Sequence, residues 1–420
     1  MRSGLPVLAS RVFGVLLGFV TAPIIAHSLG PDGRGLTAAA MATLGLLPIV
    51  LGLGTPLVIR RRASSTEMLG RAIRSARIIA LVSIVPAVLL GALAATFLLP
   101  GLTPADTGVF LAASASVPFA VLWICDANVL VGQRRMMAFA IVGTVAPVAY
   151  FGFIVVGALT SGLSVGFVIG ANGASTILTF LITSALVRVP VKGAIESPVA
   201  LLREGVSFSG SQIAEAASYR LDQAISIPII GAAGAGYYAV AATIGLIPYS
   251  LGQAIGAASY AKMAEVELTE LERTVRVALV VRSSMVLGTG SSLSLAALCP
   301  LLVPLLFGSD FLPAVIPAVI ATFGSAFVVV AYSAGSALTA YGRGWWLTLG
   351  QTSGLGLGVV MLLLLGPLLG AIGAALASAL GYALTMTIAV YALKLPRRSL
   401  LIRRTDFRDS IRLVVFGHVP

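Results

Sequence analysis

Between Glu204 and Ala242 the chain reads EGVSFSGSQIAEAASYRLDQAISIPIIGAAGAGYYAVAA. Its second half is apolar enough to cross a bilayer, yet Glu215, Arg220 and Asp222 stand where hydrocarbon would surround them. An ionised group near a bilayer centre costs about 2.5 to 3.5 kcal/mol on insertion scales, so such groups persist where they face protein or water. The chemistry open to them is the handling of ions and anions. A guanidinium holds a phosphate or carboxylate through two parallel charge-assisted hydrogen bonds and stays protonated at any relevant pH. A poorly hydrated carboxylate can exchange a proton or a cation near neutrality.

The element that must position them is a helix. At 100° per residue Glu204, Ser211, Glu215, Ser218, Asp222 and Ser226 share one narrow stripe, a wet or partnered face. Arg220 lies roughly 140° round from Glu215 and roughly 160° from Asp222, so it needs a partner from another helix, a ligand or water.

Across 420 residues the composition is 58% hydrophobic and 10% charged, with mean hydropathy +1.03. Those values lie outside the range of a water-soluble domain and specify a multi-span membrane protein. Cys125 and Cys299 sit in apolar runs, and His27 and His418 are far apart in sequence, so neither a disulfide framework, a metal site nor a cofactor is expected. The net charge of +12 would suit nucleic acid, but the basic residues fall in short loops between apolar spans, which excludes that partner. The N-terminal MRSGLPVLASRVFGVLLGF has no small-residue cleavage site after a short apolar core and reads as a retained first span. The chain carries no nucleotide-binding motif: LGPDGRG lacks both the strand and the GxxxxGK[ST] pattern and reads as a tight turn.

Runs long enough to cross roughly 30 Å of hydrocarbon occur at about 5–28, 36–59, 73–99, 107–131, 138–160 and 164–187, and after a polar break at about 206–230, 236–259, 275–306, 313–340, 345–368 and 370–393. Basic residues crowd the even-numbered connections, from Arg60, Arg61 and Arg62 through Arg134 and Arg135 to Arg343, while the odd-numbered ones hold Arg34 alone. By the positive-inside rule both termini are cytoplasmic. LGLLPIVLG (44–52) is echoed by IGLIPYSLG (244–252), and VGQRRMM (131–137) by YGRGWW (341–346). Six spans separate the equivalents, which makes the repeats parallel and places a substrate between the halves.

The expected organisation is an N-terminal six-helix bundle (1–187), a cytoplasmic linker (188–204), a C-terminal six-helix bundle (205–393) and a basic cytoplasmic tail (394–420). The stretch KMAEVELTELERTVR (262–276) reads as a charged helical extension. Asp126, near the cytoplasmic end of its span, is expected to partner a basic residue there. Pro23, Pro48, Pro228 and Pro248 recur in equivalent spans and read as bends.

The segments RVFGVLLGFVTAPIIAHSLGPDGRGL, SYRLDQAISIPIIGAAGAGYYAVA, CPLLVPLLFGSDFLPA, ALTAYGRG and LLGPLLGAIGAALASALGYAL, in that order, resemble the polysaccharide transporter (Wzx-type oligosaccharide flippase) family, within the multidrug/oligosaccharidyl-lipid/polysaccharide exporter superfamily. The resemblance covers about 5–393. It implies an all-α integral membrane fold of twelve transmembrane helices in two parallel-related six-helix bundles around a central cavity, working by alternating access. It also implies a non-enzymatic flippase that carries a polyprenyl-pyrophosphate-linked oligosaccharide to the outer leaflet for cell-surface polysaccharide biosynthesis in the bacterial cytoplasmic membrane. Membrane lipids, and glycosyltransferases or a polymerase of the same pathway, are the partners it suggests, with the chain itself a monomer.

Carried over by position, the cavity cations of that family fall on Arg220, Arg11 and Arg282. Arg220 lies roughly 22 Å into its span, too deep to reach the cytoplasmic interface, whereas Arg11 and Arg282 lie roughly 9 to 10 Å from the ends of theirs. Snorkelling or a structural ion pair therefore competes with a cavity role for those two. Asp222 and Glu215 are candidates for ion coupling, with neutralisation of arginines on neighbouring spans as the alternative. The rival functions are an ion-coupled drug or metabolite antiporter of the same superfamily, a membrane-embedded glycan polymerase, and an inactive assembly scaffold.

Overall fold

A computed structural model describes residues 5–63, 66–160, 162–187, 193–263 and 269–401. The linker residues 188–192, part of the charged extension (264–268) and most of the basic tail (402–420) lie outside them. The described residues are helical, without strands: α1 (Leu5–Gly52), α2 (Thr55–Arg62), α3 (Thr66–Val82), α4 (Ile84–Phe97), α5 (Pro104–Ala115), α6 (Val117–Gly132), α7 (Met136–Thr160), α8 (Val165–Val187), α9 (Pro198–Ala224), α10 (Ser226–Met263), α11 (Glu270–Phe307), α12 (Val315–Ala340), α13 (Gly344–Leu369) and α14 (Ala371–Ala392). In a bilayer every backbone polar group must be satisfied within the segment, and a helix does this.

Nine helices among the described residues are long and apolar enough to cross a membrane, and the pair Met68–Val82 and Ile84–Phe97, bent by 40°, makes a tenth crossing. Pro86 lacks the N–H that would bond Val82, which accounts for the bend. Ala9–Gly52 has 44 residues; straight, it would run about 66 Å, twice the hydrocarbon thickness. Its backbone turns at Gly30 (φ 65°, ψ −174°), a conformation open in practice only to glycine. It is therefore two crossings, the second beginning with Pro31. The twelfth is α9, long enough at 27 residues but too polar to pass on composition because it holds Arg203, Glu204, Glu215, Arg220 and Asp222. Twelve crossings match the expectation from sequence, and the chain is a multi-pass membrane protein.

Packing divides the chain into two compact units, 1–236 and 237–420. The first unit takes in α9 and the start of α10. Ile227 and Ala235 are buried in a core with Leu36, Leu44, Phe110 and Ile169. Two glycine contacts bring the backbones together. A Cβ at Gly35 would strike the Ala232 carbonyl, and one at Gly236 would strike the Pro31 carbonyl, so the segments 31–35 and 232–236 contact each other reciprocally. Likewise Gly54 (φ 71°) abuts Gly205. In the second unit α13 and α14 approach through Gly354 and Gly381, where a Cβ on Gly381 would lie 2.6 Å from the Gly354 carbonyl oxygen. Small residues do this work in membranes because apolar exclusion cannot.

The helix α9 starts at Pro198, capped by the Ser197 hydroxyl on the Ala200 N–H at 3.3 Å. It begins within the segment read as a linker, whose described part is clamped to the first unit. Arg62 forms ion pairs with both Glu196 and Glu204. The Ser75 hydroxyl donates to the Glu196 carbonyl at 2.6 Å and accepts from its N–H at 3.0 Å, and Arg74 Nε donates to the Ala194 carbonyl at 2.8 Å. Leu201 is fully buried against Val58, Ile59 and Ile73. The Arg62 side chain is 17% exposed and that of Arg61, 3.5 Å from Glu204, is 64% exposed. Removing Arg62 strands two carboxylates. Arg62→Ala is expected to lower unfolding stability in detergent by about 1 to 3 kcal/mol, less than a fully buried pair would lose, and Arg61→Ala by under about 0.5 kcal/mol. Equal losses in denaturant-unfolding midpoints would contradict the clamp.

Candidate functional site

All the ionisable candidates of the first unit except Arg11 stand on α9; Arg11 stands near the start of α1. The stripe, expected as a wet or partnered face, is partnered along part of its length and open along the rest. Glu204 is taken up by the Arg62 clamp, the Ser218 hydroxyl donates back to the Ala214 carbonyl at 2.7 Å, and that of the buried Ser226 to the Gln223 carbonyl at 2.7 Å. What remains outward is the exposed Glu215 and the half-buried Asp222, whose Oδ1 accepts the Gln223 N–H at 2.7 Å. The side chain of Ser211 lies outside the described residues.

Arg220 stands on an exposed part of α9. Its guanidinium lies on Gly45 of α1, where a Cβ would overlap it. Among the described residues no hydrogen bond or ion pair engages that guanidinium. The fork is therefore held in place by packing on a bare backbone while its donors stay open. Sixteen residues separate it from Glu204, about 24 Å along the helix. Glu215 lies within electrostatic reach of Arg11, which couples the first span to α9. The structure thus associates Arg11 with Glu215, and Arg220 with Gly45, in one unit.

Arg282 belongs to the second unit. It is buried in α11 at 8% exposure, and its Nη1 donates to the Ser399 carbonyl at 2.6 Å. This is a bond to the segment that follows α14. Asp126, 3% exposed on α6, feels Arg77 of α3, a basic partner of the kind expected for it. Among the described residues no three His, Cys, Asp or Glu side chains converge as metal ligands.

Sequence reasoning singled out Arg220 but missed Gly45. A signal was present in the repeat. Gly45 of LGLLPIVLG corresponds to Gly245 of IGLIPYSLG, and each admits a polar side chain from another helix: Arg220 at Gly45, and at Gly245 Ser325, whose hydroxyl donates to the Gly245 carbonyl at 2.7 Å. The electrostatic association of Arg34 with Tyr150 of α7 left no such trace.

The fold is shared with solved transporters. A structure described as lipid II flippase MurJ in an inward closed conformation aligns with TM-score 0.76 at 13% identity, covering 97% of this chain and 91% of its own. A multidrug resistance MATE family transporter of the MOP superfamily in an inward-facing conformation aligns with TM-score 0.66 at 15% identity, covering 91% and 94%. An outward-facing MATE structure gives 0.57 at 17% identity, covering 99% and 95%. At such identities the likeness concerns the fold. No curated protein sequence matches the chain. The family described as polysaccharide biosynthesis protein matches residues 2–265. With well over half of its length matched, including the spans that carry Arg11, Gly45, Glu215 and Arg220, the chain belongs to the polysaccharide biosynthesis protein family.

Proposed function

We propose that this protein is a flippase that carries a polyprenyl-pyrophosphate-linked oligosaccharide from the cytoplasmic to the outer leaflet of a bacterial cytoplasmic membrane, with both termini cytoplasmic. The observation that carries the reading is Arg220: a guanidinium about 24 Å beyond the cytoplasmic clamp, seated on Gly45, with its donors open among the described residues. A diphosphate is the cargo group that a planar fork at that depth binds best, through paired charge-assisted hydrogen bonds. Family membership supports polysaccharide biosynthesis as the setting. The reciprocal contact of segments 31–35 and 232–236 supports two parallel repeats, 1–187 and 205–393, because it is the exchange of contacts that a local two-fold axis produces.

In this mechanism Arg220 is the principal diphosphate ligand. Arg11 is the second, held in reserve by Glu215. When Glu215 takes up a proton or a cation, the attraction between the two weakens and Arg11 becomes available to the cargo; this is the point at which an ion gradient would couple. Asp222 is the second candidate for that ion. Arg282, whose Nη1 serves Ser399, is assigned to holding the segment after α14 rather than to cargo. A cationic drug would be repelled by Arg220, which weighs against the antiporter reading. Polyprenyl chains remain in lipid, so the protein needs to shelter only the polar head.

Leaflet exposure of lipid-linked oligosaccharide in cells lacking the protein is the direct test. Wild type should restore outer-leaflet exposure and Arg220→Ala at matched expression should not; unchanged exposure in the deletion strain would remove the flippase reading. Arg220→Lys should retain part of the activity, since a point charge replaces one of two parallel bonds. Gly45→Ala should leave the protein folded, because the clash is with the end of a flexible side chain, yet slow flipping by about tenfold, equivalent to about 1.4 kcal/mol. A Gly45→Ala variant with wild-type rate would show that the seat of Arg220 is irrelevant to transport.

A further inference from the structure

The second unit carries a polar and aromatic patch that the transport reading leaves unused. On α10, Tyr249, Ser250 and Gln253 share one side of the helix and are all half-buried, next to Leu246 at 43% exposure. On α12, the half-buried Tyr332 and Ser336 and the exposed Thr339 form a second stripe at the same spacing. The two stripes abut. The rings of Tyr249 and Tyr332 meet edge-on, centroids 5.8 Å apart at 89°, and a Cβ on Gly256 of α10 would strike the Ser336 hydroxyl and the Tyr332 ring.

Helix packing does not call for these residues. By the repeat that aligns 44–52 with 244–252, Tyr249 and Ser250 correspond to Ile49 and Val50 of α1, and one step beyond it Gln253 corresponds to Leu53. Val50 is 38% exposed, so the equivalent position in the first unit is also open, yet apolar. The polar set belongs to the second half alone. It lies in helices apolar enough to cross a membrane, Ser226–Gln253 and Ser309–Ala340, where an amide or hydroxyl facing hydrocarbon is costly.

The chemistry of the patch narrows its ligand. None of the six side chains is charged, and three hydroxyls give their protons to their own helices: Ser250 to the Ile247 carbonyl at 2.7 Å, Ser336 to the Tyr332 carbonyl at 3.0 Å and Thr339 to the Gly335 carbonyl at 2.8 Å. Such oxygens keep lone pairs and can only accept. Gln253 Nε2 donates to the Tyr249 hydroxyl at 2.8 Å, which fixes both side chains. A phosphate, itself an acceptor, gains little here. Tyr332 and Thr339 stand seven residues apart, about 10 Å along the helix, so one cation with ligands at about 2.5 Å could not use the whole stripe. A sugar ring suits it, since its hydroxyls donate and its C–H faces lie against tyrosine, a rigid amphipathic surface. We propose that Tyr249, Ser250, Gln253, Tyr332, Ser336 and Thr339 form a subsite for neutral sugar rings of the lipid-linked oligosaccharide. The proposal rests on the flippase reading, in which Arg220 takes the diphosphate.

The test measures affinities of the purified full-length protein for two probes: undecaprenyl pyrophosphate, which has no sugar, and lipid-linked oligosaccharide extracted from cells lacking the protein. Wild type should bind the sugar-bearing lipid about tenfold more tightly. A variant combining Tyr249→Ile, Ser250→Val and Gln253→Leu, the residues that the first half carries, should lose that preference while its affinity for undecaprenyl pyrophosphate stays within about twofold. Tyr249→Phe keeps the ring on Tyr332 and should lose about threefold for the sugar-bearing lipid alone. Arg220→Ala should weaken both probes alike. A wild type without preference, a triple variant that retains it, or equal loss of both probes in Tyr249→Phe would overturn the subsite and leave the flippase reading standing. Binding of neither probe by wild type would remove the flippase reading and the subsite with it. Undiminished binding of both probes in Arg220→Ala would remove only the role of that arginine.

Discussion

Hydrocarbon solvates neither a peptide group nor a guanidinium, and most of this structure answers that one constraint. The backbone closes its hydrogen bonds within helices. The apolar helices can then pack through glycine and alanine. α9 cannot rely on apolar contacts alone, because it carries five charged residues across its length. It is held by polar anchorage at one end and by close backbone contact elsewhere: the Arg62 clamp with Glu196 and Glu204, the Gly54–Gly205 contact beside it, and, where the chain continues into α10, the reciprocal contact around Gly35 and Gly236. These contacts let a span that is expensive to insert stay in register with α1.

That anchorage decides what Arg220 can do. An arginine paired to a carboxylate would have its charge spent, and one free to swing would pay rotamer entropy on every binding event. On Gly45 the guanidinium rests against backbone without being consumed by it. Preorganisation of this kind favours one planar ligand geometry over a general attraction for anions. Arg11 differs in having a carboxylate on α9, Glu215, within electrostatic reach; in the proposed mechanism that carboxylate makes its charge adjustable.

The two ends of the protein follow different rules. At the polar ends arginine is inexpensive, since water and headgroups reach it, and the clusters there reflect orientation in the membrane first. For Arg282 the family resemblance implied a cargo cation, with a structural role as the alternative; its Nη1 donates to the Ser399 carbonyl, a contact more than a hundred residues away in sequence that no local pattern reveals.

The sequence by itself determined the helical class, the multi-span topology, the number of crossings and the identity of the exceptional charges. All of these follow from properties that each segment carries alone: apolar length against a fixed membrane thickness, and the cost of isolated charge. Gly30 and the repeat of Gly45 in Gly245 were visible as letters, but their meaning was not, because a glycine is informative only through what occupies the space its side chain would fill. Tertiary structure alone decided that Arg220 rests on Gly45, that Glu204 is the partnered rather than the wet end of the α9 stripe, and that α9 begins at Pro198. Each of these depends on groups distant in sequence meeting at a few ångströms, and helical periodicity describes only the angles around a single axis.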